Sequence, residues 1–127
     1  MAGKTILVVE DDSVQRAGLL ALLERQGYTV QAAADGKTAL DLLRSGLAPD
    51  LIILDMMIPP PDCDGWRFLE KMRKMPAAAS VPVVITTSLS VASQEWATSL
   101  GACCLIRKPI EVEPMLATIQ GCLAGRP

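Results

Sequence analysis

Five side chains carry chemistry that a hydrophobic core does not need, and each stands where an apolar run ends. Glu10 and Asp11 follow Thr5-Ile6-Leu7-Val8-Val9, and Asp55 follows Leu51-Ile52-Ile53-Leu54. Thr87 closes the run that opens at Val81, and Lys108 lies just past Cys103-Cys104-Leu105-Ile106. Continuous apolar runs bounded by turn residues read as strands buried on both faces, as in parallel sheets. Ligands of such sheets bind outside the carboxyl ends of the strands, which places all five residues at one edge. Two carboxylates about 4 Å apart repel by roughly 4 kcal/mol at an effective dielectric near 20, so three acids in one cleft call for a cation. Oxygen donors without nitrogen or sulfur suit Mg²⁺, or Mn²⁺. Taken singly, each residue also has a plain structural role: Asp55 can begin a turn, Thr87 can cap a strand, and Lys108 can sit on the surface.

The elements that must position these residues follow from the rest of the pattern. Ser13 can cap a helix with Leu19, Leu22 and Leu23 inward and Gly27 as its stop, and Asp12, the acid left out of the candidate site, can also cap it. Tyr28 to Ala34 reads as a strand, Asp35-Gly36 as a turn, and Thr38 to Arg44 as a short helix with Ala39, Leu42 and Leu43 inward. After Asp55 comes a loop stiffened by Pro59-Pro60-Pro61, then a helix from Trp66 to Lys74. Leu69 and Met72 face the core there, with Arg67, Lys71, Arg73 and Lys74 on a solvated face. Val81 to Thr86 is a fourth strand, and Val91 to Leu100 a weakly patterned helix and the candidate mobile element. Cys103 to Ile106 is a fifth strand, and Val112, Met115, Leu116, Ile119, Cys122 and Leu123 trace the face of a closing helix. Five strands alternating with five helices predict a doubly wound α/β sheet with helices on two faces.

Composition bounds the function. The 127 residues, half of them hydrophobic, suit a single domain spanning 1–127 with its core at about 4–124 and no output domain. A net charge of -2 provides no basic footprint, which argues against direct nucleic-acid or membrane binding. No eighteen-residue apolar run and no signal pattern are present, so the expected location is cytoplasmic. Cys63, Cys103, Cys104 and Cys122 lack zinc-site spacing, and buried thiols are expected. The chain contains no histidine, so any histidine chemistry must come from a partner.

The order Val8-Val9-Glu10-Asp11, Leu54-Asp55, Thr86-Thr87 and Lys108-Pro109 resembles the receiver domain of two-component response regulators, from Lys4 to Leu123. The resemblance implies the flavodoxin-like (CheY-like) strand order 2-1-3-4-5. It implies that Asp55 accepts a phosphoryl group as an acyl phosphate, and that Asp11, Asp55 and the Met57 carbonyl ligate Mg²⁺, with Glu10 acting through a water. Lys108 would pair with the phosphoryl oxygens, the Thr87 hydroxyl would hydrogen-bond them, and the Lys108-Pro109 bond would be cis. The phosphodonor would be a histidine kinase or histidine phosphotransfer protein. Output would be a conformational shift read by a protein target at the fourth helix, fifth strand and fifth helix, with no enzymatic role beyond self-phosphorylation and slow dephosphorylation.

Two rivals are a receiver-like docking module that never sees phosphate and a Mg²⁺-dependent phosphohydrolase with an Asp nucleophile. Retention of all five site residues argues against the first. Met57, where such hydrolases place a second Asp, argues against the other. The chain departs from the receiver pattern in a two-residue insertion after Asp55, around Pro59-Pro60-Pro61-Asp62-Cys63, and in Leu105, where an aromatic switch residue usually stands. Met57 and Leu89 replace polar residues that orient attacking water in some relatives. Self-dephosphorylation is therefore expected to be slow: decay of labelled phosphoprotein should extend well beyond seconds, and a half-life of seconds would contradict it.

Overall fold

The apolar runs become strands, in a computed structural model that describes residues 3–56, 65–88 and 92–124. In chain order the elements are β1 (Thr5–Val9), α1 (Ser13–Arg25), β2 (Thr29–Ala33), α2 (Gly36–Arg44), β3 (Leu51–Asp55), α3 (Gly65–Arg73), β4 (Val83–Thr87), α4 (Gln94–Ser99), β5 (Cys104–Arg107) and α5 (Val112–Ala124). The strands form one parallel sheet in the order β2-β1-β3-β4-β5. Alternate residues point to opposite faces, and both faces are dry. Ile6, Val8, Leu51, Ile53 and Val84 pack against Leu19 and Leu23 of α1 and Met115, Ile119 and Leu123 of α5. Leu7, Val9, Ile52, Leu54, Val83 and Ile85 pack the other way, against α2, α3 and Ala97 of α4. This is why the runs are apolar at every position rather than at every second one.

Several helix boundaries and faces differ from the sequence expectation, for identifiable reasons. Asp12, not Ser13, caps α1: its carboxylate accepts from the backbone N–H groups of Val14 and Gln15, both at 2.9 Å. Asp35 likewise accepts from the Thr38 N–H at 2.7 Å, so α2 starts at Gly36. In α2 it is Leu40, with Ala39 and Leu43, that is buried, while Leu42 is only partly covered. In α3 the fully buried Phe68 joins Leu69 and Met72. Arg73 is no ordinary solvated charge, because its guanidinium donates to the carbonyls of Ala79 (3.1 Å) and Gly101 (2.7 Å) and ties together the loops after α3 and α4. Val112, at the first turn of α5, is 48% exposed instead of inward.

The weakly patterned α4 is only six residues long, and two side chains fasten its start to β5. Gln94 bonds both backbone groups of Leu105, donating to the carbonyl at 2.9 Å and accepting from the N–H at 3.0 Å. Arg107 donates to the Ala92 carbonyl. Together they cover the outer edge of a strand that pairs with β4 alone. Leu105, at the position the resemblance assigns to an aromatic switch residue, is buried in the core. Trp96 is half-buried and meets the more exposed Trp66 of α3 edge-on, with ring centroids 5.6 Å apart.

The thiol expectation is corrected: Cys103 and Cys122, 19 residues apart, are disulfide-bonded across the β5–α5 unit, with Cα atoms 6.3 Å apart. Their sequence spacing carries no hint of this, because the fold alone brings the start of β5 beside α5. Among the described residues Cys104 is the free cysteine. The expectations placed on Met57, the Pro59–Pro61 run, Asp62, Cys63, Leu89 and Val91 lie outside the described residues.

Gly65 links this packing to the carboxyl edge of the sheet. A Cβ there would lie 2.8 Å from the Met56 Cα and 3.1 Å from its carbonyl oxygen, immediately beyond Asp55. Gly65→Ala should therefore lower stability by about 1–3 kcal/mol through overpacking, although alanine favours the helix by about 1 kcal/mol. Urea unfolding with an unchanged or raised midpoint would contradict this close approach.

Candidate functional site

Strand register brings the five chemical residues together. Val9 pairs with Leu54, Asp55 with Thr86, and Thr87 with Arg107, so the ends of β1, β3, β4 and β5 meet at one edge. Backbone bonds extend the ladders just past the strands: the Glu10 N–H donates to the Ala33 carbonyl at 3.0 Å, the Met56 N–H to the Thr86 carbonyl at 3.3 Å, and the Lys108 N–H to the Thr87 carbonyl at 2.8 Å. Glu10 and Lys108 are thereby placed by main-chain geometry before their side chains interact. The peptide bond after Lys108, to Pro109, is cis, as the resemblance implies.

Glu10, Asp11 and Asp55 each offer a carboxylate oxygen, and the three oxygens lie within 4.8 Å of one another. Glu10 and Asp55 are buried, whereas Asp11 is exposed and forms the solvent side of the cluster. The Lys108 ammonium bonds Glu10 Oε1 at 2.8 Å and Asp55 Oδ2 at 3.3 Å. Thr87 is fully buried next to this group, joined to Lys108 through the backbone bond described above. Asp12, left out of the cluster at the sequence level, turns its carboxylate to the α1 terminus, while its own N–H donates to Glu10 Oε2 at 3.2 Å. Met57 lies outside the described residues.

The electrostatics follow from burial and crowding. Burial raises the Glu10 carboxyl from its ordinary 4.5 to about 6; the hydrogen bond from Lys108 opposes the rise and the neighbouring Asp55 adds to it. Burial alone would lower the Lys108 ammonium, but the Glu10 hydrogen bond and the charges of Asp55 and Glu10 outweigh it and raise the pKa. Among the described residues, three carboxylates face one ammonium and leave excess negative charge in a partly buried cleft. A set of hard oxygen donors with that excess fits a hard divalent cation.

Sequence reasoning missed one residue that shapes the site. Arg16, in the first turns of α1, donates from Nη1 to the carbonyls of Glu10 at 2.9 Å and Asp11 at 3.2 Å, pinning the acidic loop to the helix. Its only sequence signal is a basic residue one turn past a run of acids, which is indistinguishable from a solvated helix charge.

Comparison with known proteins agrees with this geometry. The family model described as response regulator receiver domain matches residues 6–120. The chain is 30% identical over 121 residues to protein PilH of Pseudomonas aeruginosa, covering 94% of this chain and 98% of that one. It is 34% identical over 119 residues to the DNA-binding dual master transcriptional regulator RpaA of Synechocystis, but there it covers 93% of this chain and 48% of the relative, so it spans about half the length of that protein. Among solved structures, the chemotaxis response regulator CheY4 of Vibrio cholerae superposes with a TM-score of 0.81 at 28% identity, over 94% of this chain and 98% of that one. A CheY-like receiver domain protein from Methanospirillum hungatei superposes with a TM-score of 0.83 at 28% identity, over 97% and 95%. With its sheet order, its clustered acids and a family match over nearly its whole length, the chain belongs to the response regulator receiver domain family.

Proposed function

We propose that this receiver domain accepts a phosphoryl group on Asp55, from a histidine kinase or a histidine phosphotransfer protein, and signals by a shift between two conformations. The observation that carries the reading is the Lys108 ammonium lying between Glu10 and Asp55, with Asp11 completing the acidic cluster at the open end of the sheet. An isolated docking module has no need of a partly buried lysine held among acids. The core from about residue 4 to 124 is read as one receiver unit, acting in the cytoplasm as a regulator rather than a turnover enzyme. Among the described residues no helix is long and apolar enough to cross a membrane.

In this reading the Asp55 carboxylate attacks phosphorus in line with the departing imidazole nitrogen of the donor, and an acyl phosphate forms as that P–N bond breaks. The donor must supply the histidine, since this chain has none. Asp11 and Asp55, with the Met57 carbonyl and with Glu10 through a water, would hold Mg²⁺. The ion, when bound, neutralises charge on the carboxylates and on the incoming phosphoryl oxygens. Lys108 keeps Asp55 oriented before transfer and is positioned to shift its hydrogen bond to a phosphoryl oxygen afterwards. Thr87, buried beside it, would turn its hydroxyl to the same group. Output would then be read at α4, β5 and α5, where Gln94 and Arg107 already join helix to strand. With Leu105 in place of an aromatic, the shift would run through those backbone contacts rather than a ring flip.

Intact mass after incubation with Mg²⁺ and acetyl phosphate tests the acceptor. A labile phosphoryl adduct is expected on the native protein and none on Asp55→Ala; an equal adduct on the variant would overturn the assignment. The ion pair makes a separate prediction for the metal-free protein. Lys108→Ala leaves buried Glu10 and Asp55 without a cation and should cost about 2 kcal/mol near pH 8, less than a fully buried broken pair because the cleft opens to water. Burial already raises the Glu10 carboxyl to about 6 with Lys108 in place, and losing that hydrogen bond raises it further, so in the variant Glu10 is protonated at pH 5 and its repulsion with Asp55 appears only as pH rises above about 6. The loss should therefore shrink near pH 5, and a pH-independent loss in chelator-treated protein would contradict the pairing.

A further inference from the structure

The Cys103–Cys122 bond joins two parts of the fold that have no packing need of it. Cys122 lies on the buried face of α5 with Met115, Ile119 and Leu123, where a free thiol packs as a small hydrophobe. Cys103 is exposed at the entrance to β5, its backbone held by a 2.8 Å bond from its N–H to the Val83 carbonyl. Both faces of the sheet are covered by helices, and a domain of this size folds without a staple. The two apolar clusters thus cover the sheet on both faces without drawing on the bond. Its exposed half is open to exchange, which proceeds by thiolate attack on an accessible sulfur. Cys104 next door is engaged elsewhere: its thiol is half-buried and lies 3.4 Å from Gln94 Oε1.

We propose that Cys103 and Cys122 form a reversible oxidation site, a dithiol that a small-molecule disulfide of the glutathione class converts to the bond seen here. The Cys103 thiolate attacks one sulfur of the reagent, releasing one reduced thiol and leaving a mixed disulfide. The Cys122 thiolate then attacks the Cys103 sulfur, and the second reagent thiol leaves. The two cysteines lose two electrons and two protons, and the reagent disulfide becomes two thiols. The closed loop contains all of β5, Lys108 and most of α5. The cross-link lies at the amino end of β5, opposite Lys108, so oxidation fastens α5 to the strand without entering the acidic cluster. Its effect on signal output rests on the proposed reading of the α4, β5 and α5 face; its formation does not.

The test is intact mass and peptide mapping of the folded protein across a series of reduced and oxidised glutathione buffers, with free thiols trapped by alkylation. The expected product lacks two hydrogens, maps to Cys103 and Cys122, reverts with dithiothreitol, persists in Cys104→Ser and disappears in Cys103→Ser, whose exposed position leaves the core intact. Hydrogen exchange should then show slower α5 amides around Cys122 in the oxidised form. The proposal is overturned if only a mixed glutathione adduct forms, if the bond maps to Cys63 or Cys104, if reduction unfolds the domain, or if α5 exchanges equally in both forms. None of these readouts needs phosphorylation, so failure here is distinct from failure at Asp55.

Discussion

The Lys108 ammonium, set between Glu10 and Asp55, is the interaction on which the rest of this structure depends. Two buried carboxylates and a third at the cleft mouth would drive one another apart, and a single cation at 2.8 and 3.3 Å keeps the pair together. The neutralisation is incomplete, three carboxylates against one ammonium among the described residues, while burial chiefly raises the Glu10 carboxyl and the neighbouring Asp55 adds to the rise. A site left short of positive charge in this way is poised for ligands that change its balance, a divalent cation first and a phosphoryl group with it. Stability is given up locally, and the surrounding sheet must tolerate that.

The sheet can do so because its register is over-determined. Every residue of β3 and β4 is buried, and alternate residues of β1, β3 and β4 serve two separate apolar clusters, so a one-residue slip would disrupt both faces at once. That rigidity fixes where each strand ends, and strand ends are where the charges are. Arg16 secures the acidic loop from the α1 side, and Gly65 lets α3 start hard against Met56. At the β5 edge of the sheet the attachment is of another kind. Gln94 and Arg107 hold α4 to β5 through polar contacts with the main chain, which are directional and separable in a way that core packing is not.

The parts of this arrangement that the sequence made legible are those written in runs and punctuation. Unbroken aliphatic stretches announced two-faced strands, and the acids and lysine at their ends announced a shared edge, because a parallel sheet collects strand termini. Family resemblance added the strand order and the cis Lys108–Pro109 bond, both present in the structure. What stayed hidden depends on three-dimensional proximity. Phe68 reads as one more apolar residue until α3 is seen to place it at zero exposure. Arg16 and Arg73 read as solvated charges until their carbonyl partners are known. Cys103 and Cys122 meet only because β5 and α5 pack together, and no spacing rule anticipates that. Val112 shows the reverse error, an apolar residue that fits the helical period yet lies exposed at the first turn of α5.

A hard cation that supplies the positive charge the acidic cluster lacks must favour the folded state. Urea unfolding with and without Mg²⁺ measures this most directly, because a ligand that binds only the folded state raises its stability. Asp11→Asn is the informative comparison, since Asp11 is exposed and its replacement disturbs no packing. Mg²⁺ should raise the unfolding midpoint of the native protein and do so far less in the variant. An unchanged native midpoint, or an equal shift in both, would contradict the claim.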